Sequence, residues 1–331
     1  MAILLCRQDV ARLLDMAEVI EIMAKAFSDF AQGQAILPLR TPIPVPEHAG
    51  VSFTMPAMLK GMGALGLKVV TVYGENPAKY QLPTVLGSIL VQDARTGAVV
   101  AVMEGGFLTA MRTGAVSGLA TRLLARKDAK VHTVIGSGGM ARAQIWGVGC
   151  ARRIEKLILY SVDPMEARKA FKESLKDIVK GEIVLAEDSA KAVAEADILT
   201  LITNSKTPVM EGRWLKPGTH INGIGSHTPK MRELDTTAVQ RAGRIVCDLV
   251  EACKAEAGDF IIPAEQGEWS WDKMHGSLGD VVTGKIKGRE NDQEITLFKS
   301  VGLAIQDIST AQYIYEKALK QKVGVEFDFM K

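Results

Sequence analysis

A short glycine-rich segment carries the most specific chemical information in this sequence. In VHTVIGSGGMARAQIWGV (131–148), an apolar run leads into the turn GSGG, and Met140 begins a segment of helical composition. The GxGxxA spacing, with Ala141 in the third position, permits a tight turn, lets backbone N–H groups approach a diphosphate and lets the helix pack close to the strand. The helix N-terminus would hold the anion. The predicted dinucleotide contacts are Gly136, Ser137, Gly138, Gly139 and Met140.

The ends of the following apolar runs bear on which dinucleotide would bind. KLILYS ends at Ser161, and Asp163 follows two residues later. An acidic residue here would accept a hydrogen bond from the ribose 2′-hydroxyl of NAD, whereas Ser161 would tolerate the 2′-phosphate of NADP. Asp163, before a proline and three residues from a glutamate, also matches a helix N-cap. The predicted cofactor is NAD(H) or NADP(H), without a choice, and the further candidate contacts are Ser161, Asp163, Thr203 and Asn204.

Two cationic side chains lie inside apolar segments, where charges are uncommon. Lys68 interrupts ALGLKVVTVY and, at the two-residue period of a strand, shares a face with Val70 and Val72. A lysine removed from water has a lowered pKa and can exchange a proton with an amine or imine, although a lysine on an edge strand can also extend into solvent. Arg112 lies near the start of a small-residue helix, and a guanidinium binds a carboxylate through paired hydrogen bonds. From its sequence context, Arg112 is therefore a candidate for binding a carboxylate, and Lys68 is a candidate for proton exchange.

The segments that carry these residues follow two patterns. Residues 1–110 combine an opening helix at about 15–32 with short alternating apolar runs, and DARTG at 93–97 separates two such runs as in a hairpin. From residue 130 onward, short Val/Ile/Leu runs alternate with helical stretches, which is typical of a parallel doubly wound sheet. The predicted fold class is α/β, with a Rossmann sheet and a second, β-rich domain.

Two predicted helices have special features. FLTAMRTGAVSGLATRLLA (107–125) repeats small residues at Ala110, Gly114 and Gly118. Because glycine lowers helix stability by about 1 kcal/mol relative to alanine, another element is expected to approach that face closely. After the strand-like EITLFKSVG, the amphipathic segment LAIQDISTAQYIYEKALKQ is expected to pack back onto the first domain.

Composition and charge narrow the class of protein. Of 331 residues, 47% are hydrophobic and 24% charged, and 40 Lys and Arg against 38 Asp and Glu give a formal charge of +2. The charges are scattered, so neither nucleic acid nor an anionic membrane is expected as a partner. The N-terminus shows no signal-peptide pattern, which predicts a cytoplasmic protein. No metal site is predicted, and we interpret the cysteines as reduced, mostly core, thiols at Cys6, Cys150, Cys247 and Cys253.

Six segments occur in an order that carries a family resemblance. They are LPLR (37–40), GLKV (66–69), LPTV (82–85), MRTGA (111–115), the glycine turn at 136 and SVGLAIQD (300–307). In this order they resemble the ornithine cyclodeaminase/mu-crystallin family, which includes related alanine dehydrogenases and cyclic-imine reductases. The resemblance implies an NAD(P)-binding Rossmann domain at 116–302. It also implies an α+β domain, 1–115 with 303–331, that binds substrate and forms a dimer contact, with the active site in the cleft between the domains.

The resemblance also implies roles for single residues. It implies that Arg40, Lys68 and Arg112 hold the substrate carboxylate beside the nicotinamide. Arg40, which lies close to prolines, also has the sequence context of a surface arginine. The other implied contacts are with the cofactor, at Thr84, Arg112 and Thr113, and with the substrate, at Val301 and Gly302.

One position departs from the family pattern. His227, in GSHTP (225–229), stands where the cyclodeaminases and related alanine dehydrogenases typically have an aspartate. In the cyclodeaminases that aspartate is assigned to the side-chain amine of the substrate. A histidine does not supply this negative charge, but it can donate a proton to an imine near neutral pH. The alternative is a loop histidine that caps the following helix, and the candidate catalytic residues are Lys68 and His227.

These observations predict an NAD(P)-dependent oxidoreductase that acts on the Cα–N bond of a small amino acid or cyclic imino acid. Alanine dehydrogenases and Δ1-pyrroline-2-carboxylate or ketimine reductases catalyse such reactions. One alternative is an ornithine cyclodeaminase, which forms proline and ammonia. A second is a non-catalytic, NADP-linked binding protein of the mu-crystallin type. A homodimer is expected.

Overall fold

The computed structural model describes residues 1–331, and they divide into two compact units. Unit 1 consists of Met1–Arg112 with Leu303–Lys331, and unit 2 consists of Thr113–Gly302. None of the helices has the length and apolar character needed to span a membrane.

The secondary-structure elements are numbered in chain order. The strands are β1 Ala2–Leu5, β2 Ala35–Ile36, β3 Thr41–Val45, β4 Gly50–Leu59, β5 Ala64–Tyr73, β6 Val85–Asp93, β7 Val99–Glu104, β8 Val131–Ile135, β9 Lys156–Tyr160, β10 Glu182–Leu185, β11 Ile198–Leu201, β12 His220–Gly223, β13 Arg244–Cys247, β14 Gly276–Ser277, β15 Thr296–Lys299 and β16 Val325–Phe327. The α-helices are α1 Arg7–Leu13, α2 Met16–Ala31, α3 Asn76–Tyr80, α4 Gly105–Leu124, α5 Ala141–Ala151, α6 Met165–Glu173, α7 Ser189–Glu195, α8 Thr236–Arg241, α9 Val250–Glu256, α10 Gly258–Glu265, α11 Leu278–Val282 and α12 Ala304–Gln321.

Unit 1 is a mainly antiparallel sheet with helices on one face. The strand order is β16-β1-β7-β6-β5-β4-β2, with β3 also paired to β4. The predicted hairpin is confirmed, since β6 and β7 pair antiparallel around a turn in which Gly97 has φ +76°. The predicted C-terminal helix is confirmed as α12, which packs on α2, β4 and β5. At Gly66 a β-carbon would lie 2.4 Å from the carbonyl oxygen of Leu90 in β6 and 3.1 Å from Ile308 Cδ1 in α12, so the glycine is required by the neighbouring strand and also leaves room for α12.

Unit 2 contains the predicted parallel doubly wound sheet. Its order is β10-β9-β8-β11-β12-β15-β13-β14, and all neighbouring strands are parallel. The chain therefore leaves every strand at the same side of the sheet, which we call the carboxyl edge. Open α/β sheets bind ligands at this edge.

Two glycines explain how closely α4 and α5 pack. A β-carbon at Gly114 would lie 2.1 Å from the carbonyl oxygen of Ala143, and one at Gly147 would lie 1.9 Å from that of Gly114. No larger residue fits at either position without moving a backbone. The close approach predicted from the small-residue face of the helix is confirmed.

Three local expectations are corrected by the structure. Asp163 is not an N-cap: α6 begins after Pro164 without a side-chain cap, and the Asp163 carboxylate accepts a hydrogen bond from Ser137 Oγ instead. A long-range partner has displaced the local one. Helix α5 begins at Ala141, one residue later than expected, with Met140 as its N-cap. Only two of the four cysteines are in the core, because Cys6 and Cys150 are exposed.

Two buried histidines lie in the sheet of unit 2. His132 Nε2 is 2.9 Å from Thr200 Oγ1, and His220 Nδ1 is 2.9 Å from Thr296 Oγ1. Both side chains are fully buried, and burial lowers the pKa of each to about 3. Both imidazoles are therefore neutral in the folded chain at physiological pH.

This burial predicts sensitivity to mild acid. Below about pH 6.5 the two histidines are protonated in the unfolded chain but not in the folded chain, so acid favours unfolding. We expect the free energy of unfolding to fall between pH 6.5 and 5, by up to about 2.7 kcal/mol per pH unit. Urea titrations across this range measure the effect, and His48→Gln, at an exposed histidine, should leave it unchanged. A free energy of unfolding that is constant over this range would contradict the prediction.

Candidate functional site

A buried carboxylate joins two of the predicted cationic residues in unit 1. Asp307, in the first turn of α12, is fully buried. Its Oδ2 lies 2.7 Å from Lys68 Nζ, and its Oδ1 accepts a hydrogen bond of 2.8 Å from Arg112 Nε. Lys68 is 1% exposed and Arg112 5% exposed. We call these three residues the Asp307 cluster, which holds two positive charges and one negative charge out of water.

The surroundings of Lys68 change its acidity. Burial is the main reason why the pKa of Lys68 falls from 10.5 to about 8. The positive charges of Arg112 and Arg40 lower this pKa further, whereas Asp307 raises it. Both the ammonium and the amine form of Lys68 are therefore accessible near neutral pH, as a proton donor or acceptor requires.

Gln306 adds an unsatisfied donor beside the cluster. Arg112 Nη1 donates to Gln306 Oε1, while the buried Gln306 Nε2 has no hydrogen-bond partner. A buried donor without a partner is costly, and a ligand with an acceptor oxygen can satisfy it. The arrangement fits a carboxylate ligand, to which a guanidinium and an amide would both donate.

The two other predicted residues of unit 1 lie in connecting segments. Arg40 directly precedes β3, and its guanidinium carbon lies 4.9 Å from the centroid of the Phe53 ring. It is near enough to Lys68 to affect that residue's pKa. Thr84 directly precedes β6, and its carbonyl oxygen accepts a hydrogen bond of 2.9 Å from the backbone N–H of Tyr73.

The glycine turn of unit 2 has the geometry that a dinucleotide phosphate needs. Gly136 has φ +113°, and a β-carbon there would lie 2.4 Å from the carbonyl oxygen of Ile202, so only glycine fits. At Gly138 and Gly139 a β-carbon would meet nothing within 4 Å, so the space over these residues is open. The turn leads into α5, whose first N–H groups lack intrahelical partners. These residues fit a diphosphate held by backbone N–H groups and the helix N-terminus.

Asp163 lies next to this turn. The hydrogen bond from Ser137 Oγ brings its carboxylate beside the glycine turn, at the end of the loop that follows β9. Nearby, the buried Ser161 Oγ has no hydrogen-bond partner. Arg168, which could have neutralised a ribose phosphate, is 9% exposed, donates to the carbonyl of Ala186 and has its guanidinium carbon 6.0 Å from the Tyr160 ring centroid. The fixed charge nearest the turn in this loop is therefore negative.

The turns after β11 and β12 meet at one buried glutamate. Glu233 accepts hydrogen bonds from Thr203 after β11 and from the backbone N–H of Gly225 after β12. His227, in the second turn, is half-buried, and its Nδ1 lies 2.8 Å from the carbonyl oxygen of Gly225. This bond orients the imidazole within the turn. Asn204 is exposed beside Thr203.

The remaining predicted residues follow β15 and α4. Asp248 Oδ2 accepts hydrogen bonds of 2.9 and 2.8 Å from the backbone N–H groups of Val301 and Gly302, and Gly302 has φ +86°. Thr113 is buried in α4, directly after Arg112. A β-carbon at Gly136 would lie 3.2 Å from Thr203 Cγ2, and Glu233 joins Thr203 to Gly225 in the turn of His227. The carboxyl edge of unit 2 thus brings together the glycine turn, Thr203 and the turn of His227.

Sequence reasoning missed the acidic residues that organise these groups. Asp307 lies within the segment SVGLAIQD, but it is not among the predicted site residues. A signal was available, because Asp307 lies among the apolar residues Ile305 and Ile308 of an amphipathic helix. A charged residue in such a place is expected to be buried with a partner. Glu233, in the loop MRELD, gave no such signal, since no periodic pattern surrounds it.

Comparisons with known proteins agree over nearly the whole chain. Residues 1–322 match the profile of the ornithine cyclodeaminase/mu-crystallin family. A Delta(1)-pyrroline-2-carboxylate reductase of Bacillus cereus is 39% identical over 96% of this chain and 97% of its own. The structure of Thermococcus litoralis Delta(1)-pyrroline-2-carboxylate reductase in complex with NADH and L-proline has a TM-score of 0.95 and 46% identity, over 98% of this chain and 100% of that one. An archaeal alanine dehydrogenase dimer with bound NAD has a TM-score of 0.93 and 34% identity, over 99% of both chains.

Proposed function

Because the chain belongs to the ornithine cyclodeaminase/mu-crystallin family, we propose that it reduces a cyclic 2-imino acid of the Δ1-pyrroline-2-carboxylate class with NADH or NADPH. At the level of reaction class, it is an NAD(P)-dependent oxidoreductase of amino or imino acids, as the sequence predicted. The narrower choice is supported by the identities of 39% and 46% to two reductases of this substrate. The observation that carries the proposal is the Asp307 cluster.

The cluster supplies what imine reduction needs besides the hydride. The reaction breaks the C=N π bond, adds a hydride to Cα and adds a proton to nitrogen. A bound nicotinamide supplies the hydride. Arg112, assisted by the free amide donor of Gln306, binds the substrate carboxylate, and Arg40 adds positive charge. This leaves Lys68 to act on the nitrogen.

Lys68 donates the proton in its ammonium form. Its pKa of about 8 leaves most of the side chain protonated at pH 7, yet makes it a stronger acid than an exposed lysine. Asp307 Oδ2 lies 2.7 Å from Lys68 Nζ, and an ammonium has three N–H groups, so Lys68 can pair with Asp307 and still donate to the substrate nitrogen. In the reverse direction, the amine form accepts a proton from the amino acid. Proton donation by His227 is the alternative assignment.

His227 also favours reduction over cyclisation. Release of ammonia from ornithine requires a group that engages the side-chain amine, and a neutral imidazole attracts an ammonium far less than a carboxylate does. A cyclic imino acid has no such amine. We therefore do not expect ornithine to be converted to proline.

Assays of turnover and its pH dependence test this function. We expect NADH or NADPH oxidation with Δ1-pyrroline-2-carboxylate and none with ornithine, measured by nicotinamide absorbance and by proline formation. The kcat/KM for reduction should decrease above about pH 8, and that for proline oxidation should increase, because the first needs the ammonium and the second the amine of Lys68.

Variants assign this pH dependence to the Asp307 cluster. Lys68→Met should lower kcat/KM by about 10²-fold or more, whereas Lys60→Met, at an exposed lysine, should not. Asp307→Asn removes a charge that raises the pKa of Lys68, so the decrease should begin at a lower pH. Full turnover of Lys68→Met would assign the proton to another group, and absence of turnover with any imino or amino acid would contradict the function.

We propose NADH as the preferred reductant because of Asp163. Its carboxylate beside the glycine turn would accept a hydrogen bond from a ribose 2′-hydroxyl and repel a 2′-phosphate. Asp163→Ser should lower the ratio of kcat/KM for NADH to that for NADPH by about tenfold or more, equivalent to about 1.4 kcal/mol. Glu166→Gln, an exposed carboxylate in the first turn of α6, is the matched control. A wild-type preference for NADPH would refute this assignment.

We also propose that the outer face of the unit 1 sheet forms the contact of a homodimer. Ile43, Ser52, Thr71 and Leu86 pair in register across four strands, so they share the face opposite Lys68. Val69 is on the same face, and Ile43, Val69 and Leu86 are 54%, 39% and 36% exposed. Such an apolar patch is typical of an interface.

A charge on this face should prevent the association. Val69→Lys would place an ammonium in the apolar contact, so sedimentation should show a dimer for the wild-type chain and a monomer for the variant. Leu319→Lys, at a 51% exposed position on α12, which packs on the other face of the sheet, is the control and should remain a dimer. A dimer for Val69→Lys, or a wild-type monomer, would contradict the proposed interface.

A further inference from the structure

We propose that Glu233 is a positioning residue that aligns the cofactor-facing turns of unit 2 and thereby sets the affinity for the dinucleotide. The inference rests on the proposed function, because it concerns the binding of the same cofactor. Glu233 itself lies beneath these turns with its side chain fully buried. It would therefore act through the residues that it holds rather than by contact with a ligand.

Each carboxylate oxygen of Glu233 holds one turn. Oε1 accepts hydrogen bonds of 2.6 and 2.8 Å from the backbone N–H and the hydroxyl of Thr203, after β11. Oε2 accepts bonds of 2.7 and 3.0 Å from the backbone N–H groups of Gly225 and Ser226, after β12. One side chain thus joins the ends of two adjacent parallel strands.

Four donors stabilise an ionised carboxylate at this position. Three backbone N–H groups donate to the two oxygens, and the Thr203 hydroxyl adds a hydrogen bond at Oε1. Burial raises the pKa of Glu233, and the charge of Asp259 adds to this increase, while Lys299 lowers the pKa. The four donors and Lys299 therefore oppose the cost of burying the charge.

Asp259 and Lys299 fix the backbone of Glu233 from below. Asp259 Oδ1 accepts hydrogen bonds of 2.7 and 2.9 Å from the backbone N–H groups of Glu233 and Leu234. Its Oδ2 lies 2.7 Å from the fully buried Lys299 Nζ, at the end of β15. The backbone of Glu233 is thereby anchored to α10 and, through Lys299, to a third strand of the sheet.

Close packing also connects the residues held by Glu233 to the glycine turn. A β-carbon at Gly225 would lie 2.2 Å from the carbonyl oxygen of Thr203 and 2.4 Å from Glu233 Oε1. On its other side, Thr203 Cγ2 limits the space at Gly136, where a β-carbon would be 3.2 Å away. A shift of Thr203 would therefore change the turn that fits the diphosphate, and a shift of Gly225 would move His227.

Asp197 offers a matched control at the opposite edge of the same sheet. It accepts hydrogen bonds of 2.9 and 3.0 Å from the backbone N–H groups of Lys130 and Val131, and it pairs with Arg126 and Lys216. Asp197 directly precedes β11 and Val131 begins β8, so this carboxylate joins the same two strands that lead to Gly136 and Thr203. Its loss should weaken the sheet without disturbing the carboxyl edge.

The experiment compares Glu233→Gln with Asp197→Asn. The glutamine amide would direct N–H groups at backbone N–H groups, so one of the two turns must move. We expect the Kd of NADH, measured by its fluorescence on binding, to increase about tenfold or more for Glu233→Gln, equivalent to about 1.4 kcal/mol. The KM for NADH should rise more than the KM for the imino acid. Asp197→Asn should lower Tm and leave the Kd of NADH unchanged.

Glu233→Asp keeps the negative charge, but its shorter side chain places the carboxylate farther from the two turns. This variant takes the place of Glu233→Gln if Glu233→Gln does not fold. Its Kd for NADH should also increase, by about threefold or more, equivalent to about 0.7 kcal/mol. Folded Glu233 variants that bind NADH like the wild-type chain would overturn the inference, as would an equal increase in Kd for Asp197→Asn. If the wild-type chain binds neither NADH nor NADPH, the proposed function fails, and this inference fails with it.

Discussion

The ion cluster around Asp307 is the interaction on which the interior of unit 1 depends. Two cations inside an apolar interior are unstable unless an anion lies between them, because desolvation of a charge costs several kcal/mol. Lys68 and Arg112 come from β5 and α4, whereas Asp307 comes from α12 near the end of the chain. The C-terminal helix must therefore return to the sheet for either cation to be tolerated there. This explains why one compact unit is built from both ends of the chain.

Unit 2 also contains buried carboxylates, but backbone N–H groups surround them where cations surround Asp307. Glu233 holds the turns after β11 and β12, and Asp248, directly after β13, holds Val301 and Gly302 after β15. Parallel strands end with unpaired N–H groups, and a buried carboxylate can satisfy two to four of them at once. The loops at this edge are consequently fixed from beneath, which leaves their upper surface to ligands.

Much of this arrangement could be predicted from the sequence because it is encoded locally. The glycine turn at 136, the apolar runs that form β8 to β13, the hairpin at 93–97 and the C-terminal helix all have periodic or compositional signals. Asp163 shows how such signals fail: its N-cap pattern is correct for an isolated helix start, but Ser137 from another loop provides a better partner. The interactions of Glu233, Asp259 and Lys299 join residues 26 and 40 positions apart, and no local pattern records them. Strand alternation predicts the burial of Lys68, but it does not predict the anion that pairs with it.

The close packing of α4 and α5 at Gly114 and Gly147 allows a distant substitution to move the start of α5. A methyl group at Gly114 would meet the carbonyl of Ala143, and one at Gly147 would meet the carbonyl of Gly114, so alanine at either position forces α5 away from α4. Gly147 is seven residues beyond Met140, about 10 Å along the helix axis. Because a helix moves nearly as a rigid rod, that displacement reaches the N–H groups at its first turn. A substitution of one methyl group, two helical turns from the start of α5, would thus change the position of the N–H groups beside the glycine turn through translation of the whole helix.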